Sequence, residues 1–145
     1  MSKHCYFFDT TETEKDRLIF ELVYRIFNKN EKVVIYTDTD ERANDLERFL
    51  WVYKQEAFIP HKIFRYEEKD AMEKVAIVTE ELNPIDANKI ILDVPCSSTF
   101  ASNFEVIFDF ADRSSEKKIK ESRMRYKLFR DMGYTMYYQK EISEV

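Results

Sequence analysis

The chain of 145 residues contains one glycine, Gly133. Phosphate cradles of the G-x-G-x-x-G or G-x-x-x-x-G-K-[ST] kind need several glycines, so that backbone N–H groups can approach the phosphates without a Cβ in the way. The scarcity excludes both motifs and predicts no nucleotide cofactor. Histidine and cysteine are nearly as scarce: His4, His61, Cys5 and Cys96 are nowhere paired at metal-ligand spacing, and the cysteines form no C-x-x-C. They are read as reduced thiols and core-packing rings, with no disulfide framework and no metal site. No apolar run approaches the roughly 20 residues that a bilayer span requires. The start, Met1 to Asp9, has no charged segment leading into a long apolar stretch and a small-residue cleavage site. The expectation is a soluble, cytoplasmic protein without a membrane partner.

Aromatic residues are abundant, with one Trp, nine Tyr and twelve Phe in a chain that is 44% hydrophobic. That composition argues against disorder, and the length suits one domain over residues 1–145. The net charge of −5 conceals an asymmetry, because Arg113 to Arg130 holds eight basic residues against two acidic ones. The remainder carries 15 basic and 26 acidic residues, or −11. An acidic body with one basic stripe repels duplex DNA and suits an acidic peptide or an isolated phosphate contact, so no strong direct nucleic-acid binding is expected.

Hydrophobic periodicity alternates strand and helix. A short apolar run, Cys5 to Phe8, is followed by Leu18, Ile19, Leu22, Val23, Ile26 and Phe27 at helical spacing, then by Val33 to Tyr36. Thr11 and Glu14 fit a capping box, and Asp40 or Thr39 caps a second helix to about Tyr53 with Ala43, Leu46, Leu50 and Tyr53 as its buried stripe. Strands follow at Ile63–Tyr66, Val75–Val78, Ile90–Val94 and Asn103–Ala111. A final helix, Ser115 to Met132, is closed by Gly133, and Tyr134 to Tyr138 adds an edge strand. This order predicts an α/β fold: a three-layer, Rossmann-like domain with a largely parallel sheet and no nucleotide-binding loop.

Two kinds of chemistry compete for the site. Asp9, Asp38 and Asp40 each follow a predicted strand and could gather at its carboxyl edge around Mg²⁺, as in a phosphoryl-transfer enzyme. Equally, Asp9 belongs to a turn and Thr37 to Asp40 supply the cap and first-turn charge of the next helix. Ser97-Ser98-Thr99 has no base near it in sequence and reads as a polar loop. On the final helix, Met124, Leu128 and Met132 line one side, and Lys120, Arg123, Tyr126, Lys127 and Arg130 lie almost opposite. Arg grips carboxylates bidentately and Tyr offers an apolar plate with a polar tip, so this face is either a solvated basic surface or a site for a peptide ending in an acid and a hydrophobic side chain. Trp51 lies about 120° from the centre of its helix's apolar stripe. Pro60 biases Ile59, and with it the stretch holding Phe58, toward an extended conformation. These two aromatics either cover each other within the chain or anchor a partner protein.

The segments "LERFLWVYKQEAFIPH" and "RMRYKLFRDMGY" carry a resemblance to the chi subunit of bacterial DNA polymerase III holoenzyme. The likeness runs from Phe7-Phe8-Asp9-Thr10 through L-x-x-x-L-W (Leu46, Leu50, Trp51) and F-[IV]-P-H (Phe58 to His61). It ends in R-x-R-Y-K-x-[FY]-R-x-x-G-[FY], matched by Arg123, Arg125, Tyr126, Lys127, Phe129, Arg130, Gly133 and Tyr134. The acidic stretch from Arg65 to Lys89 matches no motif of the family. The resemblance implies a non-catalytic adaptor of the clamp-loader complex, built on a Rossmann-like or helicase-domain-like sheet without a nucleotide site. It further implies that Arg123 and Tyr126, supported by Lys127 and Arg130, bind the acidic C-terminal tail of single-stranded-DNA-binding protein. Trp51 and Phe58 would then meet a psi subunit or a functional equivalent.

Overall fold

The computed structural model describes residues 2–65, 68–140 and 142, with backbone alone at 12 and 13. Seven strands form its sheet: β1 (His4–Thr10), β2 (Val33–Tyr36), β3 (Lys62–Phe64), β4 (Val75–Val78), β5 (Lys89–Leu92), β6 (Val106–Asp112) and β7 (Thr135–Gln139). Their order is β3-β4-β2-β5-β6-β1-β7, and every pairing is parallel. Between them lie α1 (Glu12–Asn28), α2 (Asp40–Val52), the short α3 (Ser98–Ala101) and α4 (Glu116–Asp131). The α/β fold and its parallel sheet are therefore as expected. The Ile63–Tyr66 strand is shorter than expected at its described end, and Tyr66 lies outside the described residues.

A parallel sheet covered on both faces needs apolar side chains on both, and the strand period of two sorts them. Phe8, Phe108 and Phe110 join Leu18, Leu22, Leu46 and Leu50 in the layer under α1 and α2. Cys5, Phe7, Ile107 and Ala111 join Phe100, Phe104 and Phe129 in the layer under α3 and α4. Burial pushes the Cys5 thiol up, with Asp109 adding and Arg125 opposing. Burial likewise raises Cys96 to about 12, so both thiols stay protonated and unreactive at neutral pH.

The helix ends correct several local expectations. At α1 the Glu14 amide donates to the Thr11 carbonyl at 3.2 Å, and Thr11 makes no side-chain cap bond of the expected capping-box kind. At α2 the cap is Thr39, whose hydroxyl accepts from the Arg42 amide at 3.1 Å. Tyr53, expected in the buried stripe, stands past the last turn of α2. Its ring stacks on Phe49 with centroids 4.8 Å apart, meets Phe20 at 5.0 Å, and stays 37% exposed. Ser97-Ser98-Thr99 is not a loop but the start of α3, with Ser97 accepting from the Phe100 amide at 3.1 Å.

Helix α4 docks by a different side from the one its apolar residues suggest. Met124 and Leu128 are 63% and 43% exposed. The inward stripe is Ser122, Arg125 and Phe129, at i, i+3 and i+7, with Ser122 and Phe129 buried and Arg125 partly so. Asp109 lies on the α4 side of β6, among apolar neighbours, and Arg125 Nε donates to its Oδ2 at 2.8 Å. A buried carboxylate demands such a partner, and meeting it fixes the rotation of α4. The helix ends in a Schellman turn: Tyr134 N–H donates to the Phe129 carbonyl and Gly133 N–H to the Arg130 carbonyl, both at 3.1 Å. Gly133 has φ 100, a region that favours glycine.

Candidate functional site

The rotation of α4 opens a cleft of about 450 Å³ between its outer flank and the carboxyl ends of β1, β6 and β7. Arg123, Tyr126, Lys127 and Arg130, the four residues of the expected peptide site, all line it, together with Arg113. Among the described residues no acidic side chain lines it, while Phe7, Ala111, Ile119 and Tyr138 supply apolar wall. Tyr126 is half-buried, with its ring 5.4 Å from that of Phe7. The cleft therefore combines an apolar floor with a cationic rim, the chemistry of a site for a hydrophobic group attached to an anion.

Arg113 and Tyr138 are the site residues that local sequence reasoning missed. Arg113 follows β6, and Tyr138 sits near the end of β7, so only the sheet order brings them to α4. The signal available was Arg113 at the head of the basic stretch, read there as part of a charge count.

The second set of predicted residues lies toward the opposite edge of the sheet, with Trp51 in the last turn of α2 and Phe58 in the loop beyond it. Trp51 and Phe58 meet edge-on with centroids 5.9 Å apart, yet remain 39% and 72% exposed. Phe58 touches Trp51, and both rings keep exposed surface. The segment is not extended at Phe58. A single 3-10 turn, Gln55–Ala57, ends there, and Phe58 takes left-handed angles, φ 45 and ψ 71. That conformation costs about 1–2 kcal/mol for a residue with a Cβ and turns the ring outward. Behind it the buried His61 ring lies 4.2 Å from the Trp51 ring. Its Nδ1 is 2.8 Å from the Ile59 carbonyl and its Nε2 is 2.9 Å from the Glu47 carbonyl. His61 is thus a core ring that ties the loop to α2.

The acidic trio does not assemble. Asp9 lies within β1, not in a turn after it, and β5 and β6 separate β1 from β2, so Asp9 stands three strand spacings, about 14 Å, from the end of β2 where Asp38 and Asp40 lie. Asp9 instead pairs with Arg113 at 2.7 Å and Asp40 with Arg65 at 2.7 Å. Among the described residues, no three His, Cys, Asp or Glu side chains come together as a metal site would need. The phosphoryl-transfer alternative therefore has no centre in this fold.

A different acid holds the middle of the carboxyl edge. Asp93, just past β5, accepts from Thr37 Oγ1 at 2.7 Å and from Arg42 Nε and Nη2 at 3.0 and 2.9 Å, and pairs with Lys15 at 3.1 Å. Burial works to raise its carboxyl, but the Arg42 bond, the two cations and Thr37 outweigh it and hold the group below its ordinary value of 3.8. Every charge in this cluster is answered from within the chain, so it serves the fold.

Comparison with known proteins identifies the sequence with one family. Residues 1–137 match the family profile described as DNA polymerase III chi subunit, HolC. No curated protein matches the sequence. Among solved structures, S. cerevisiae Dbp5 bound to RNA and ADP BeF3 superposes with a TM-score of 0.65 at 14% identity, covering 97% of this chain and 42% of that one. T4 UvsW gives 0.60 at 10% identity, with coverages of 97% and 42%. This chain spans less than half the length of either, and the likeness is one of fold, the parallel α/β arrangement of RecA-like helicase domains.

Proposed function

The chain belongs to the DNA polymerase III chi subunit family, and from that premise we propose that its α4 cleft binds the acidic C-terminal tail of single-stranded-DNA-binding protein. Family membership makes it an accessory, non-catalytic subunit of the polymerase in DNA replication. The finer reading is an adaptor, folded as one domain over residues 1–145, that joins protein-coated single strands to the clamp-loader complex. One observation carries it: Arg123, Tyr126, Lys127 and Arg130 line a single cleft that has an apolar wall and, among the described residues, no acid. An anionic tail is steered there by the basic stripe, and its end group packs on Tyr126. Binding is accordingly weakened by salt.

A labelled acidic peptide with a free, hydrophobic C-terminus, titrated against the purified protein, tests this reading. Arg123→Ala and Tyr126→Ala are each expected to weaken binding about tenfold or more, in keeping with ~1.5–3 kcal/mol for a bond to a charged group. Unchanged affinity in both variants removes the assignment. Trp51 and Phe58 are proposed as the face for a psi-type subunit, because large, outward-held aromatics are the usual anchors of protein interfaces. Phe58→Ala is expected to abolish co-purification with that partner while leaving the unfolding midpoint in place, since the ring buries little within its own chain. A lowered midpoint with the partner retained would make Phe58 a packing residue.

A further inference from the structure

Resting on the tail-binding reading, the geometry assigns a second guanidinium to the cleft. We propose that Arg113, positioned by the buried Asp9, joins Arg123 in a two-arginine clamp for the peptide's terminal carboxylate, with Lys127 and Arg130 taking acidic side chains further up the peptide.

Three observations support the assignment. First, Arg113 is held from behind. Its Nε lies 2.7 Å from Asp9 Oδ1, and its amide donates to the Thr10 carbonyl at 3.3 Å. The loop around it is also tied, with Ser114 N–H on Asp112 Oδ1 at 2.8 Å and Lys118 N–H on the Ser115 hydroxyl at 3.2 Å. Contact through Nε leaves the Nη edge of the fork for a ligand, and a guanidinium fixed in this way loses little freedom when it binds.

Second, Asp9 is buried, and among the described residues its Oδ1 meets Arg113 at 2.7 Å as an ion pair without an aligned hydrogen bond. A buried carboxylate is costly unless paired, so Asp9 holds the Arg113 guanidinium against it and thereby orients that side chain. Third, Arg113 and Arg123 line the same cleft as Tyr138. Burial, then the charge and hydrogen bond of Asp9, push the Tyr138 phenol up, while Arg113 and Arg123 both pull it down, so both lie within electrostatic reach of one hydroxyl at one end of the cleft. Arg130, seven residues beyond Arg123, is about 10 Å away along the helix.

The clamp predicts which variant reads the carboxylate. Two acidic peptides of one sequence ending in phenylalanine, one with a free terminal carboxylate and one amidated, are titrated against the full-length protein and its variants. Amidation is expected to weaken binding to the parent protein about tenfold or more. In Arg113→Ala that penalty should fall to about threefold or less, because only Arg123 is left to sense the carboxylate. Arg130→Ala should weaken both peptides and keep the full penalty. Arg113→Lys separates a clamp from bulk charge: the lysine keeps the charge but loses the fork, so the penalty should remain small. Asp9→Asn should weaken the free acid more than the amide, as a positioning residue does. If Arg113→Ala retains the full amidation penalty while the parent binds the free acid, the clamp is wrong and tail binding stands. If the parent binds neither peptide, the tail-binding reading falls and takes the clamp with it.

Discussion

Asp93 sits where an isolated carboxylate would be costly, buried just past the end of β5. Arg42, Lys15 and Thr37 answer it from two helices and the end of β2, so a single charge ties α1, α2 and the sheet together. The sign of its pH effect follows from the direction of its shift. A carboxyl held below its ordinary value of 3.8 contributes stability that is present above that pH and is lost as the pH falls toward the lower folded-state value. Urea unfolding followed across the acid range should therefore show stability dropping below about pH 4. In Asp93→Asn that acid limb flattens. Arg42→Met, at neutral pH, removes the fork and leaves the carboxylate with Lys15 and Thr37. We expect a loss of ~2–4 kcal/mol, somewhat below the range for a buried pair broken outright because Lys15 remains. A loss under about 0.5 kcal/mol, the scale of a surface change, would show that solvent reaches the cluster.

Among the elements, α4 depends most on one residue at its end. Gly133 has φ 100 and nothing within 4 Å of where a Cβ would stand, so Gly133→Ala meets conformational strain without a clash. The expected cost is ~1–2 kcal/mol, read as a lowered urea midpoint with an unchanged slope. Peptide affinity should survive in the folded fraction, because the cleft residues lie before the turn. The order of strands and helices was legible in the sequence because runs such as Val33–Tyr36 and Val75–Val78 are buried on both faces and helix α1 repeats at 3.6. The basic residues and Tyr126 were legible from the same period. The docking side of α4 was not, because its most apolar pair, Met124 and Leu128, faces out while Ser122 and Arg125 face in. That choice depends on Asp109, a charge within the buried run of β6, and periodicity within one helix carries no information about a partner strand. The left-handed Phe58 was hidden for a similar reason: Pro60 restrains Ile59 alone, and the 3-10 turn before it sets Phe58.

At the scale of the molecule, the two proposed faces stand at opposite sides of one sheet. The cleft belongs to β6, β1 and β7 at one edge, while α2 packs on β4 and β3 at the other and presents Trp51 and Phe58 near His61. From β1 to β3 there are five strand spacings, roughly 24 Å. Sites so far apart, without shared side chains, are expected to act additively. The rigid parallel sheet between them offers no second arrangement that one ligand could favour over another, which is what coupling would require. On the proposed reading, an adaptor built this way would hold two partners at once without changing its affinity for either. The acidic-tail peptide should bind the complex with a psi-type subunit as tightly as it binds this chain alone, within about twofold, and Phe58→Ala should leave peptide affinity untouched. The converse holds for Tyr126→Ala, which should keep the psi-type partner. Calorimetric titration of the peptide into the free protein and into the preformed complex makes the comparison directly. A change of tenfold or more, about 1.4 kcal/mol, would mean that the sheet transmits a signal and that the molecule is a switch as well as a bridge.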